Sequence, residues 1–162
     1  MSQSTPEPPK VRPATHSDLA SIVAFNAAMA RETEDKGLSE DQLRAGVEAV
    51  LADRDRGVYR MALVDGREAG CLLVTREWSD WRDAWFWWIQ SVFVAPWARR
   101  RGVYAALHED VRRAARSSGD VCGLRLYVDS DNAAAMRTYE RLGMEHARYE
   151  MYEESLLPGE AP

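Results

Sequence analysis

Residues 90–107, QSVFVAPWARRRGVYAAL, set three arginines and a glycine between a run that is apolar on both faces and a helical pattern. The first N–H groups of a helix have no intrahelical partner, and the helix start carries partial positive charge. Arg99, Arg100, Arg101 and Gly102 at such a start have the makings of a phosphate site. Gly102 would let the backbone approach a ligand with no Cβ in the way. No GK[ST] follows, as a Walker A loop would require, and no G-x-G-x-x-G is present. A solvated basic turn is the alternative for RRRG in isolation, and the buried strand before it and the helix after it argue against that. A second segment, residues 132–144 (NAAAMRTYERLGM), holds Asn132 and Tyr139 seven apart. Seven residues return to about 20° of the starting direction around a helix, so the two share a face. An amide and a phenol two turns apart can hold an extended ligand and donate a proton to it. A capping Asn beside a packed Tyr would give the same pair.

The elements that must position these residues follow from periodicity. Val11 and Arg12 begin a short strand that Pro13 stops. Thr15, three residues before Asp18, predicts a helix start, followed by Leu19, Ile22, Val23, Asn26 and Met29 at helical spacing. Ser39 with Gln42 predicts a second start, and RETEDKG connects the two helices. The period then shortens. Residues 58–64 read as a strand, Asp65-Gly66 as a hairpin turn, and 68–75 as the return strand. REWSDWRD reads as a loop, and 85–94 (WFWWIQSVFV) as a strand at the centre of a sheet. A helix opens at Gly102, a strand covers 122–128, and Asp131 or Asn132 caps a short helix ended by Gly143. Residues 146–153 read as a last strand or hairpin. The order β-α-α-β-β-β-α-β-α-β predicts an α/β (α+β) domain, a mixed sheet with helices on its faces.

The chain has 162 residues, enough for one domain with a real core. Residues 1–9 and 155–162 read as loose tails around a domain at 10–154. Lys plus Arg is 21 and Asp plus Glu is 26, a net charge of −5, which argues against a nucleic-acid coat. The patch Arg99–Arg101 with Arg112, Arg113 and Arg116 is the one feature that would favour nucleic acid. No apolar run reaches the roughly 18 residues of a membrane span, and the first residues lack the apolar core of a secretion signal. Cys71 and Cys122 form no CxxC pair, and His16, His108 and His146 complete no zinc spacing. These features predict a reduced, cytoplasmic protein without a metal.

Together the two segments resemble the GNAT family of N-acetyltransferases. QSVFVAPWARRRGVYAAL is similar to that family's acetyl-CoA motif, R/Q-x-x-G-x-G/A after a strand ending V-x-P. Arg99, Gly102 and Tyr104 stand at its three defined positions, with Tyr104 where the family has Gly or Ala. NAAAMRTYERLGM is similar to N-x-x-A-x-x-x-Y-x-x-x-G-[FM], matched at Asn132, Ala135, Tyr139, Gly143 and Met144. The resemblance covers about residues 10–153 and implies a mostly antiparallel central sheet flanked by helices.

The resemblance implies a mechanism with acetyl-CoA as cosubstrate and an amine as acceptor. N–H groups from Arg100 through Val103 to Tyr104 would hold the pyrophosphate, with the arginine side chains nearby. The pantetheine would lie along the edge of strand 91–94, bonded to Val92 and Val94. The neutral amine would attack the thioester directly, with an N–H of Val92 or Phe93 polarising the carbonyl. Tyr139 would protonate the leaving thiolate. The carboxylates rimming the acceptor cleft are the candidate bases: Glu32 and Glu34 in the helix connection, and Glu77, Asp80 and Asp83 before the central strand. Glu32 and Glu77 rank first, and Gln90 could orient a water. All six Trp lie in 78–97, and Trp78 and Trp81 beside acids could cage a cation. Residues 31–56 carry eight acids and five bases. Acids and aromatics point to a small cationic amine. A protein or peptide amine, or a non-catalytic acyl-CoA-binding module, are the other readings. A homodimer is a form the family often takes.

Overall fold

The computed structural model describes residues 7–33 and 38–158. The chain divides into two compact units, the first ending at Tyr127 and the second beginning at Val128.

The first unit is a five-stranded sheet with helices on both faces. Its strands are β1 (Lys10–Pro13), β2 (Val58–Val64), β3 (Arg67–Ser79), β4 (Ala84–Val94) and β5 (Val121–Leu126). They lie in sequence order across the sheet. Every neighbouring pair is antiparallel except β4 and β5, which are parallel. The crossover between those two strands is α3 (Val103–Ser118), while α1 (Leu19–Thr33) and α2 (Glu40–Ala52) separate β1 from β2.

Local chemistry explains most of the boundaries. Thr15 N–H donates to Asp18 Oδ2 at 2.7 Å, and a short 3-10 turn at 16–18 leads into α1. The Ser39 hydroxyl accepts from Gln42 N–H at the start of α2. Asp65 and Gly66 both take positive φ, 52° and 75°, as a two-residue turn matched to strand twist demands. The loop expected over 76–83 shrinks to 80–83, because β3 continues to Ser79 and β4 begins at Ala84. Cross-strand aromatics hold the extension: Trp78 lies opposite Trp85, ring centroids 4.9 Å apart and edge-on, with the Arg76 guanidinium over Trp85.

The two sheet faces bury separate clusters, because successive strand side chains point to opposite faces. Under α3 lie Ala62, Val64, Leu72, Val74 and Ile89, packed against Val103, Leu107 and Val111 of that helix. Under α1 and α2 lie Tyr59, Met61, Cys71 and Leu73, packed against Leu19, Ile22, Val23 and Val47. Burial pushes the Cys71 thiol up to about 12, so it stays protonated and inert.

In the second unit, α4 (Ala133–Arg141) starts where Asn132 Oδ1 accepts from Ala135 N–H. It ends at Gly143, with φ 89°. The strand expected over 146–153 is not formed, so among the described residues the element order ends on α4. Tyr149, Met151 and Tyr152 are exposed there. An alternating pattern needs a partner strand before its backbone groups can be satisfied as a ladder, and the pattern alone does not supply one.

Candidate functional site

The sheet opens along β4. Its parallel pairing with β5 runs from Trp85↔Val121 to Ile89↔Leu126 and stops. From Gln90 to Val94 β4 is paired with β3 alone among the described residues. Within this stretch Ser91 takes φ 49°, and the β3–β4 register shifts between Cys71 and Leu73, the signature of a bulge. Gly70 sits opposite Val94, and a Cβ there would stand 2.5 Å from the Phe93 carbonyl oxygen. Val92 and Val94 are half-buried against the cluster under α3, and Phe93 stacks on Phe25 of α1 at 5.3 Å. The backbone of residues 90–94 therefore offers one polar edge to a ligand while its side chains are held from both sides.

The strand leads into the basic loop. Residues Pro96–Ala98 make a 3-10 turn, Arg100 takes φ 62°, and Gly102 takes φ 75° as the N-cap of α3. Among the described residues no side chain caps that helix start, and the first N–H groups of a helix have no intrahelical partner. The three arginines differ in their partners. Arg99 donates from Nε to Val94 O at 3.1 Å and from Nη2 to both oxygens of Glu32, at 3.0 and 2.8 Å. Arg101 pairs with Asp65 at 3.0 Å. Arg100 makes no ion pair or side-chain hydrogen bond among the described residues, so its charge is available. The Tyr104 side chain lies along its own helix, its hydroxyl 3.2 Å from His108 Nδ1 and its ring against the α3 cluster.

On the face that α1 and α2 cover in part, a second group comes together. Thr75 and Glu77 alternate along β3 and lie beside Gln90, Trp88 and Phe86 of β4. Gln90 Nε2 donates to Thr75 Oγ1. Glu77 accepts from Trp88 Nε1 at 2.9 Å and from Arg125 at 2.7 Å. The Arg125 guanidinium lies 3.5 Å above the Phe86 ring, and Trp88 stacks on Tyr127 at 4.6 Å. Glu77 and Gln90 thus share a surface. Trp78 alternates with Glu77 and so points from the other face, packed on Trp85. Glu32 stands at the end of α1, tied to Arg99. Glu34 lies outside the described residues. Arg125 and Tyr127 escaped sequence reading, since a strand position gives no sign of which strand it will neighbour.

In the second unit, Asn132 caps α4 and Tyr139 lies two turns on. Tyr139 is half-buried, and burial raises its phenol pKa, so the hydroxyl keeps its proton at neutral pH. Among the described residues no cluster of three or more His, Cys, Asp or Glu could hold a metal, and no helix is long and apolar enough to cross a membrane.

An interior strand left open at its end runs into a basic helix start, and comparison with known proteins gives the family. Residues 23–144 match the acetyltransferase (GNAT) family, so the chain belongs to that family and is an acyltransferase. Its fold is similar to that of a possible acetyltransferase from Clostridium difficile 630, 38% identical, covering 93% of this chain and 99% of that one with a TM-score of 0.86. An integron cassette protein from the mobile metagenome of Cole Harbour Salt Marsh shares the fold at 22% identity, covering 91% of each chain with a TM-score of 0.80. So does the aminoglycoside N-acetyltransferase AAC(6')-Iy in complex with CoA, at 18% identity, covering 97% of this chain and all of that one with a TM-score of 0.77. No curated protein sequence is significantly similar to this chain.

Proposed function

We propose that the protein moves an acetyl group from acetyl-CoA to a primary amine by direct attack, and that the acceptor is a small cationic amine. The observation that carries this is the stretch of β4 beyond Ile89, which among the described residues pairs on one side only and runs into a helix start where Arg100 has no side-chain partner. A thioester's pantetheine arm carries amides that can bond the free backbone edge of Val92 and Val94, and a pyrophosphate suits Arg100 and the N–H groups of Gly102, Val103 and Tyr104. The Arg99 bond to Val94 O turns that carbonyl toward the loop and leaves Val92 as the principal edge group. The CoA complex of the structurally similar aminoglycoside enzyme supports the same choice of cosubstrate.

We assign the chemical steps to this chain's residues as the resemblance to the family implies. A neutral amine nitrogen attacks the thioester carbon while a backbone N–H of Val92 or Phe93 stabilises the developing oxyanion. The carbon–sulfur bond breaks, and Tyr139 gives its proton to the departing sulfur. A thiol near pKa 8.5 is a modest base, so a phenol serves as its acid. Glu77 takes the proton that makes the amine neutral, through water held by Gln90; its oxygens each accept one bond, from Arg125 and from Trp88, and keep further lone pairs. The proton that the nitrogen loses after attack passes to the Tyr139 phenolate. The neighbours of Glu77, Trp88 and Tyr127, offer ring faces to a cation. Cys71 and Cys122 are free thiols, which suits a reducing compartment such as the cytoplasm.

The test is CoA release across a panel of polyamines, amino sugars, amino-acid derivatives and short peptides with free N-termini, after calorimetric titration with acetyl-CoA. The expected result is one-site binding and turnover with a small cationic amine. Tyr139→Phe should lower kcat by about 10²–10⁴-fold while acetyl-CoA still binds. Turnover with peptides alone would transfer the reading to a protein or peptide amine. Binding without turnover on any acceptor would refute the catalytic assignment.

A further inference from the structure

Glu32 and Arg99 are 67 residues apart in sequence, and each was expected at a different end of the reaction: one to take a proton, the other to hold phosphate. The structure joins them. Both Glu32 oxygens accept from Arg99 Nη2. The same guanidinium donates from Nε to Val94 O and stands 5.8 Å from the Phe93 ring. Phe93 in turn stacks on Phe25, seven residues before Glu32 on α1. Seven residues bring a helix back to within about 20°, so Phe25 and Glu32 grip this corner from one face of α1, two turns apart. One arginine side chain therefore ties the end of α1, the last residue of β4 and the loop before α3.

We propose that Glu32 is a positioning residue for the cofactor loop, acting through Arg99, and not the base that deprotonates the acceptor. A carboxylate whose two oxygens both accept from one guanidinium is not presented to an ammonium. Arg99, with its Nε and Nη2 committed to Val94 and Glu32, is a brace that sets the path of the loop, and Arg100 is the arginine left to meet phosphate. The division of labour extends the acetyl-CoA reading and rests on it for its effect on binding. The pair is about half exposed, so its loss loosens the loop without unfolding the protein.

The experiment has two independent arms. In the first, hydrogen exchange is followed at residues 95–102 of the ligand-free protein. Glu32→Gln should speed exchange there, and in an Arg99→Ala background the same change should add nothing. Unchanged exchange in Glu32→Gln overturns the clamp whether or not acetyl-CoA binds. In the second arm, acetyl-CoA affinity and steady-state kinetics are compared. Glu32→Gln should raise Kd and KM for acetyl-CoA roughly two- to fivefold, the range an exposed ion pair allows. It should leave kcat and the acidic limb of its pH profile in place. A kcat loss of a hundredfold or more with a shifted acidic limb and unaltered acetyl-CoA affinity would make Glu32 the base and sink the proposal. Wild-type protein that takes up no acetyl-CoA, while the exchange effect persists, would refute the cosubstrate reading and leave the clamp standing.

Discussion

The Nδ1 atom of His108 stands 3.2 Å from the hydroxyl of Tyr104, one turn earlier on α3. At the other edge of the ring, Arg112 Nη2 lies 3.2 Å from Nε2. Arginine only donates, so Nε2 holds the lone pair and Nδ1 the proton, which is given to the Tyr104 oxygen. Burial and the Arg112 charge both lower the His108 pKa, since a second proton would place a buried cation against a guanidinium.

That depression has a sign. The unfolded chain takes up its histidine proton near pH 6.5, while the folded ring resists. Below about pH 6.5 the unfolded state binds more protons, so stability falls with pH until the folded ring is protonated too. Tm measured from pH 7.5 to 5 should drop for the wild type and drop less for His108→Gln. Equal slopes in the two proteins would refute the assignment.

Arg100 should dominate phosphate affinity. Arg100→Ala should weaken acetyl-CoA about ten- to a hundredfold, the equivalent of roughly 1.5–3 kcal/mol for a charged hydrogen bond. Arg101→Ala should cost less, because Arg101 is already paired with Asp65. The φ of 62° adds a second readout. Arg100→Gly should be more stable than Arg100→Ala by about 1 kcal/mol, because a Cβ is strained in the left-handed region. Titration and urea unfolding of both variants separate the two effects.

Gly70 has no room for a side chain. The first atom that a Cβ would meet is the Phe93 carbonyl oxygen, with Val94 Cα at 3.2 Å, and backbone yields poorly. Gly70→Ala should cost roughly 1–3 kcal/mol and displace β4 where it is open. Calorimetry should show a lower Tm together with weaker acetyl-CoA binding. Unchanged binding would mean that the 90–94 edge is not used.

Asp18 is buried and accepts two bonds from Arg12, both 2.8 Å, and one from Thr15 N–H. The Arg12 bonds outweigh burial and hold its carboxyl below the ordinary carboxylate range. The stabilisation is present above the unfolded pKa near 3.9 and is lost as pH falls through the folded value. Asp18→Asn should cost roughly 1–3 kcal/mol at pH 7 by urea unfolding, with the difference shrinking at strongly acid pH.

What the sequence determined by itself is chemistry that acts within a few residues. Asp65-Gly66 is a turn because both positions need positive φ, Ser39 and Asn132 are caps because their oxygens reach an N–H three residues on, and Gly143 ends α4 because a left-handed residue is needed there. The two motifs that signal the family are of this local kind, as is the strand-loop-helix that makes the basic site. Only the tertiary structure decided which distant groups meet. The place where β4 loses its β5 partner depends on two strands separated by a whole helix. The Glu32–Arg99 and Glu77–Arg125 pairs join residues 67 and 48 positions apart. Trp78 and Glu77 are neighbours in sequence and opposed in space, because strand side chains alternate once the strand forms. The last expected strand has the alternating pattern and no ladder, because a strand exists only with a partner whose N–H and C=O groups match its own. Turn and cap energies are set along the chain; pairing and ion-pair energies are set by neighbours that folding alone supplies.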